Sequence, residues 1–324
     1  MHSFDELLAY FEDNLKEQKF INEPEELYAP ISYTLALGGK RIRPVLTLMA
    51  CDIFGGNYKD ALPQAIAIEM FHNFTLIHDD IMDNAPIRRG RATVYKKWSP
   101  NIAILSGDTL FAYAYQFAQK ADKNIVQDIL SVFNKTAIEV CEGQQYDLNF
   151  ETRNDVSVEE YVKMIRLKTA VLFGASLKIG SIIGGADKDE SEKLYNFALN
   201  IGLGFQLKDD LLDTFGDESI FGKKTGGDIL TNKKTFLFLK ALELAEEDTK
   251  KQLLKYYSST EYNDEDKIER VKSIFSKLSV DTITETEIDK YFKDGIKFLE
   301  SMNISRENKD ELYKLAFKMI HRSN

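Results

Sequence analysis

Apolar residues along this chain recur three and four positions apart far more often than they alternate, which is the signature of amphipathic helices. Over Phe4–Lys19 they fall at Phe4, Leu7, Leu8, Phe11 and Leu15, one helical stripe. Ile31–Leu37 begins a second helical stretch, ended by Gly38-Gly39. Pro63 suits the opening turn of a helix that runs to Asn84, with Pro86 just beyond it. Further helices are predicted over Asn101–Ala121 and from Ile125 to about Asp147. The capping-box pair Ser157 and Glu160 opens another, which stops at Gly184-Gly185. Ser191–Thr214 is closed by Gly216, and Thr235–Asn324 reads as several charged amphipathic helices. No alternating strand run with hairpin turns and no strand–helix–strand rhythm is present. The expected fold class is all-α, with no clear domain boundary and therefore one domain over 1–324. The stretches 66–82 and 197–213 are apolar on nearly every side and belong inside a bundle.

Those two apolar helices end in the same pattern, Asp79-Asp80-Ile81-Met82-Asp83 and Asp209-Asp210-Leu211-Leu212-Asp213. Positions i and i+4 share a helix face, so Asp79 neighbours Asp83 and Asp209 neighbours Asp213. Like charges at that spacing destabilise a helix, and near its C-terminus they also oppose its dipole. On helices expected to be buried, the pattern calls for a compensating cation. Oxygen donors without Cys or His favour Mg²⁺, which takes a few carboxylates together with substrate phosphates. One such pattern would be as readily a solvated helix end; two copies on apolar helices, beside basic clusters, favour the metal.

Those clusters matter because the chain as a whole is acidic. Its net charge of −10 opposes non-specific nucleic-acid binding. Yet basic residues gather at Lys40–Arg43, Arg88–Arg91, Lys223-Lys224 and Lys233-Lys234, where a small polyanion could be gripped. Arginine forks match phosphate oxygens, although any single pair would read as solvated surface charge. Phe215–Asp228 is Gly-rich and Lys-bearing, suited to a lid over phosphates. Hydrophobic residues at 44% suffice for a sizeable core. Two distant cysteines, Cys51 and Cys141, make no disulfide framework, so a reduced, cytoplasmic setting is expected. The N-terminus is acidic and amphipathic, unlike a signal peptide. Ala170–Ala186, the most apolar long stretch, contains Lys178 and several glycines and makes a poor membrane span.

Together these residues resemble the trans-type polyprenyl diphosphate synthases, of which farnesyl and geranylgeranyl diphosphate synthases are members. The match covers about Gly38–Thr235 and includes GGKRIRP, the His72–Asp83 segment, RRG, Ser106-Gly107-Asp108, Gly143-Gln144, Lys168-Thr169, Phe205-Gln206 with DDLLD, and Gly222-Lys223. The resemblance implies an isoprenoid-synthase bundle of mostly antiparallel helices around a deep cavity, usually as a homodimer. It also implies three Mg²⁺ ions: two on Asp79 and Asp83, a third on Asp209 with Asp213 assisting, and Asp80 and Asp210 behind them. Arg88, Lys168, Lys223 and Lys233 would hold the allylic diphosphate. Lys40, Arg43, His72 and Arg89 would hold isopentenyl diphosphate, with Arg41 in a lesser or structural role. Thr169 and Gln206 would offer oxygen dipoles to the developing carbocation. Such roles suit the chemistry, because breaking an allylic C–O bond separates a cation from a diphosphate. Two positions depart from the family's habit: Ala92 stands where Pro is frequent before Thr93, and Asn232 where Gly is common before Lys233. Neither removes a charged ligand. His78 reads as an ordinary core histidine.

In this family the residues just before the first aspartate motif floor the space for the growing chain. Here they are Phe71, Phe74 and Thr75, and DDIMD carries no insertion. Eight helical residues span about 12 Å, which fits a C15 to C20 product with Phe71 and Phe74 as the floor. Three rival readings compete with this one. A terpene cyclase is nearer in chemistry, but it would not need Lys40 and Arg43 for a second diphosphate. A non-catalytic partner subunit would often lack one aspartate motif, and both are intact. A metal phosphohydrolase could use the His78-Asp79 pair, but it needs a well-separated earlier histidine and leaves DDLLD without a purpose.

Overall fold

The computed structural model describes residues 2–216, 225–258 and 262–321. The chain is all-α in class, with one short ladder among the described residues, and divides into two compact units.

The first unit comprises residues 1–135 and 175–192. It begins with α1 (Phe4–Glu17), whose predicted stripe buries Leu7, Phe11 and Leu15. Ser3 and Glu6 close a capping box there that the sequence reading passed over. Helix α2 (Glu25–Leu35) starts six residues earlier than the apolar pattern suggested and carries Pro30 within it. A proline in the second turn removes one ladder hydrogen bond, which a packed helix tolerates. Next come α3 (Ile42–Ile53) and α4 (Leu62–Met82), with Pro63 in the first turn of α4 as expected. After α4 the chain forms a two-residue antiparallel ladder, β1 (Ile87–Arg88) with β2 (Arg91–Ala92), which the helical reading did not foresee. Arg89 and Gly90 at its tip both have positive φ, 52° and 74°. That is the twist a two-residue primed turn requires. Short α5 (Val94–Lys97) leads into α6 (Pro100–Ala118), capped by Ser99 and lying along α4. Leu48, Met49, Ile66, Ile68, Met70 and Phe71 form the centre of this unit's core.

The second unit comprises residues 136–174 and 193–324. Helix α7 (Val126–Thr152) outruns its predicted end by five residues, and its latter part belongs here. The predicted capping box at Ser157 and Glu160 opens α8 (Val158–Ile165). The helix then passes through a π-helical segment, Arg166–Ala170, before continuing as α9 (Val171–Ile183). In that segment the Val171 N–H reaches back to the Arg166 carbonyl, one residue further than an α-helix allows. Most of α10 (Lys188–Phe215), ending one residue before Gly216, lies in the same unit. Beyond it come the short helix Gly227–Leu230, which the sequence pattern did not predict, and then Phe236–Leu244, Glu247–Ser258, Asp264–Lys277, Val280–Ser301 and Arg306–Ile320, the amphipathic series expected from Thr235 onward. Their buried faces include Phe238, Leu253, Val271, Phe275, Leu299 and Leu312.

Candidate active site

In the first unit the C-terminal turn of α4 carries Asp79 and Asp80, with Asp83 as the capping residue. Asp79 is half-buried, Asp83 exposed and Asp80 buried. Asp80 is turned toward Arg88, whose Nε and Nη2 each lie 2.8 Å from Asp80 Oδ1. Burial pushes the Asp80 carboxyl up to about 6, against the pull of Arg88 and with the charges of Asp79 and Asp83 adding to it. The hairpin thus brings Arg88 to the aspartate motif.

The same hairpin reaches the Gly38–Arg43 segment. Arg89 donates from Nη1 to the Gly38 carbonyl. Arg43 Nη1 lies 3.4 Å from His72 Nε2. Withdrawal from water, then the charges of Arg43, Arg89, Arg88 and Arg41, hold the His72 pKa well below its ordinary value, so this imidazole is neutral. Lys40 is exposed. Arg41 is buried and pairs with Glu69 on α4, while its Nη2 donates to the Leu35 carbonyl at 2.6 Å. The structure therefore gathers Lys40, Arg43, His72, Arg88, Arg89 and the first aspartate motif in one unit. His78 Nε2 donates to the Ile104 carbonyl, 3.3 Å away, and the ring packs edge-on against Phe74.

One to two turns before Asp79, α4 carries an aromatic cluster. Phe74 stacks on Phe111 of α6 at 4.8 Å between ring centroids, and Phe71 lies 5.6 Å from both Phe111 and Phe133. Phe71 is fully buried and Phe74 only half so. Thr75 Oγ1 donates back to the His72 carbonyl and stays within its own helix.

In the second unit, α10 presents Asp209 and Asp213 half-buried and Asp210 buried. Tyr161 of α8 donates its hydroxyl to Asp210, and the Gln206 amide lies 3.2 Å from the same carboxylate. Burial, reinforced by Asp228, raises the Asp210 pKa well above the ordinary carboxylate range, against the hydrogen bonds from Tyr161 and Gln206. The π-helical segment sets Lys168 and Thr169 out of ordinary helical register. Lys168 Nζ reaches Asp147 Oδ2 at 2.6 Å, and Thr169 Oγ1 reaches Gln206 Oε1 at 3.1 Å. Gly143 of α7 permits this, since a Cβ there would stand 2.3 Å from the Lys168 backbone nitrogen. Asp213 Oδ2 accepts from the Asp228 N–H at 2.9 Å, and the Lys233 N–H donates to the Asp228 carbonyl at 2.8 Å. Asn232 adopts φ 58°, a conformation Asn tolerates where Gly would otherwise serve. Lys223, with Gly222, lies outside the described residues.

The sequence reading did not single out Glu69, Asn73, Asp147 or Tyr161, and it met Asp228 only within the Gly-rich segment. Glu69, Asp147 and Tyr161 find their charged or hydroxyl partners far away in sequence, at Arg41, Lys168 and Asp210, and Asn73 matters only through Glu69 one turn away, so no local pattern marks them. The donor set suits magnesium: carboxylate oxygens at i and i+4, with neither Cys nor His among them. Among the described residues no three His, Cys, Asp or Glu side chains converge on one point. Substrate oxygens and water would complete the shell, as Mg²⁺ prefers.

Paired aspartates on apolar helices, with arginine-bearing loops beside one pair, define a class of all-α enzymes that handle diphosphates. The polyprenyl synthetase family model matches residues 24–275, and the chain belongs to that family. It is 39% identical over 316 residues to a geranylgeranyl pyrophosphate synthase of Geoglobus acetivorans, covering 97% of this chain and 95% of the relative. It is 40% identical over 288 residues to a geranylgeranyl diphosphate synthase of Saccharolobus solfataricus, covering 86% of each. A crystal structure of a geranylgeranyl pyrophosphate synthase superposes with a TM-score of 0.95 at 45% identity, over 100% of both chains. The chain is thus a chain-elongating prenyltransferase of the all-α isoprenoid synthase fold. Enzymes of this family are generally magnesium-dependent and use isopentenyl and allylic diphosphates. No helix among the described residues is long and apolar enough to cross a membrane.

Proposed function

We propose that the chain condenses isopentenyl diphosphate with allylic diphosphates, head to tail and in the trans sense, to a product of C15 to C20 length. The relatives' names favour C20 within that range. The observation that carries this reading is the arrangement along α4, where Asp79 and Asp83 end a helix whose preceding turns hold the aromatic cluster of Phe71 and Phe74. Eight residues of helix put about 12 Å between the diphosphate end and that floor.

In this reading Asp79 and Asp83 hold two Mg²⁺ ions, and Asp209 with Asp213 holds a third. When bound, the metal supplies Lewis-acid stabilisation of the leaving diphosphate. Arg88, Lys168, Lys223 and Lys233 grip that diphosphate and offset the charge it gains as the allylic C–O bond breaks. Thr169 and Gln206 turn oxygen dipoles toward the cation left behind. Lys40, Arg43, His72 and Arg89 hold isopentenyl diphosphate so that its double bond meets the cation. A new C–C bond forms, and loss of a proton to the departed diphosphate restores the alkene. A neutral His72 suits this role as a hydrogen-bond partner that adds no charge to the four arginines. Residues 1–324 act as one functional domain, as a homodimer in the cytoplasm; sedimentation equilibrium tests the assembly.

The test is incubation with Mg²⁺, labelled isopentenyl diphosphate and, separately, C5, C10 and C15 allylic diphosphates. Dephosphorylated products sized by chromatography should be all-trans chains ending at C15 to C20. Chelation of magnesium should abolish them while the far-ultraviolet helical signal persists, and added Mg²⁺ should restore them. No incorporation from any primer by folded protein would overturn this reading and favour a non-catalytic partner subunit.

A further inference from the structure

The Gly38–Arg43 segment has an unusual backbone for a loop that must present two cations accurately. Gly38, Gly39 and Arg41 all have positive φ, at 76°, 141° and 48°. Arg41 enters that region without being Gly, Asn or Asp, a strained conformation that requires compensation from its surroundings. The surroundings are visible. Its guanidinium is buried, paired with the Glu69 carboxylate through Nη1 and with the Leu35 carbonyl through Nη2. Glu69 is itself only 2% exposed, and Asn73 Nδ2 donates to both its Oε1 and its backbone carbonyl at 2.8 Å. From the hairpin, Arg89 donates to the Gly38 carbonyl, and its guanidinium closes against Gly39. The loop is thus gripped at both ends. His72 and Asn73 stand one turn from Glu69 on the same helix.

Charge points the same way. Four guanidiniums, those of Arg41, Arg43, Arg88 and Arg89, act together on His72. Left alone, such a cluster repels itself. Glu69 opposes it: Arg89 is shifted downward by burial and by Arg41 and Arg88, and the charge of Glu69 works against that shift. One buried carboxylate therefore fixes the loop's shape through Arg41 and offsets the charge of the arginine that holds its other end.

We propose that Glu69 is the positioning residue of the isopentenyl diphosphate subsite, clamping the Gly38–Arg43 segment through Arg41 so that Lys40 and Arg43 are presented together with His72 and Arg89. The inference rests on the assignment of those four residues to isopentenyl diphosphate. Glu69 touches no substrate; its effect is carried by the backbone it holds. Losing it should weaken one substrate and spare the other, because the allylic side chains are held elsewhere.

The experiment is two-substrate steady-state kinetics, with a thermal unfolding midpoint for every protein. Glu69→Gln should raise KM for isopentenyl diphosphate at least tenfold and change KM for the allylic primer less than twofold. If both constants stay at parental values, or rise together, the proposal fails. Because Glu69→Gln leaves Arg41 buried without its counter-charge, it can also lower the midpoint. The pair Arg41→Met with Glu69→Met removes both charges and often restores stability in such sites. The proposal requires that KM for isopentenyl diphosphate remain high in this pair even as the midpoint recovers. Recovery of both would make the ion pair a stabilising element only and overturn it. Lys40→Ala tests the underlying assignment: if it leaves that KM unaltered, the subsite is misassigned. If Lys40→Ala raises it and Glu69→Gln does not, the subsite stands and the role of Glu69 falls.

Discussion

His72 shows how one side chain can carry a testable signature of its surroundings. Its depressed pKa, set by burial and by the nearby arginines, means that the folded chain refuses a proton the unfolded chain accepts. The sign follows directly. The stability tied to this group is intact above its unfolded value of 6.5 and is lost as pH falls below it, at a slope approaching 1.4 kcal/mol per unit, about one proton's worth. Asp80 and Asp228 act in the opposite sense, because burial pushes both up to about 6 and the folded state then takes up protons first. The parent's own profile therefore mixes opposed effects. The informative quantity is the difference in unfolding free energy between the parent and His72→Gln, followed from pH 7 to pH 5. The parent should lose ground to the variant steadily below about pH 6.5. A difference that does not move with pH would mean that the imidazole titrates as it would in water. The aspartates were legible in the sequence because two like charges at i and i+4 on an apolar helix conflict with local rules. Glu69, Asp147 and Tyr161 broke no local rule, and only the fold gives them partners.

The π-helical segment is where one element shapes another. Its extra residue per turn turns Lys168 toward Asp147 and Thr169 toward Gln206, and α7 can lie against it only because Gly143 has no side chain. A Cβ at Gly143 would also stand 2.7 Å from the Leu167 carbonyl carbon, so backbone and not a pliant side chain would have to move. Gly143→Ala should cost about 1–3 kcal/mol, the range of overpacking, despite the better helix propensity of alanine. It should also lower kcat, since Lys168 and Thr169 sit on the displaced backbone. Chemical denaturation and kinetics on the same preparation check both; a variant as stable and as active as the parent would show that the segment yields freely. None of this was readable beforehand. The periodicity that located α4, α6 and α10 reports apolar faces, and one added residue inside an apolar helix barely disturbs it. The ladder of Ile87–Ala92 was missed for a related reason, since two residues per strand are too few to alternate. The early start of α2 was hidden by Pro30, which reads as a break when its packing is unseen.

Product length is the property through which the whole molecule is observed, because it integrates the diphosphate anchor and the floor into one distance. The sequence supplied both ends of that distance on α4, and the structure separates the two phenylalanines. Phe71 is 1% exposed and meets Phe74, Phe111 and Phe133, so it is a core residue first. Phe74 is half-buried, stacks on Phe111 and stands nearer the aspartates. A growing chain would meet Phe74 before Phe71. Phe74→Ala should therefore lengthen the product, and by about one isoprene unit, because the three residues between the rings rise about 4.5 Å. Phe71→Ala alone should leave the length unchanged, since Phe74 still blocks the path, and should instead destabilise the fold by about 3–5 kcal/mol. The double variant, if it remains folded, should extend products beyond either single one. Chromatographic sizing of products beside a thermal midpoint separates these outcomes. An unchanged product from well-folded Phe74→Ala would move the floor to some other residue and leave the aromatic cluster a packing role alone.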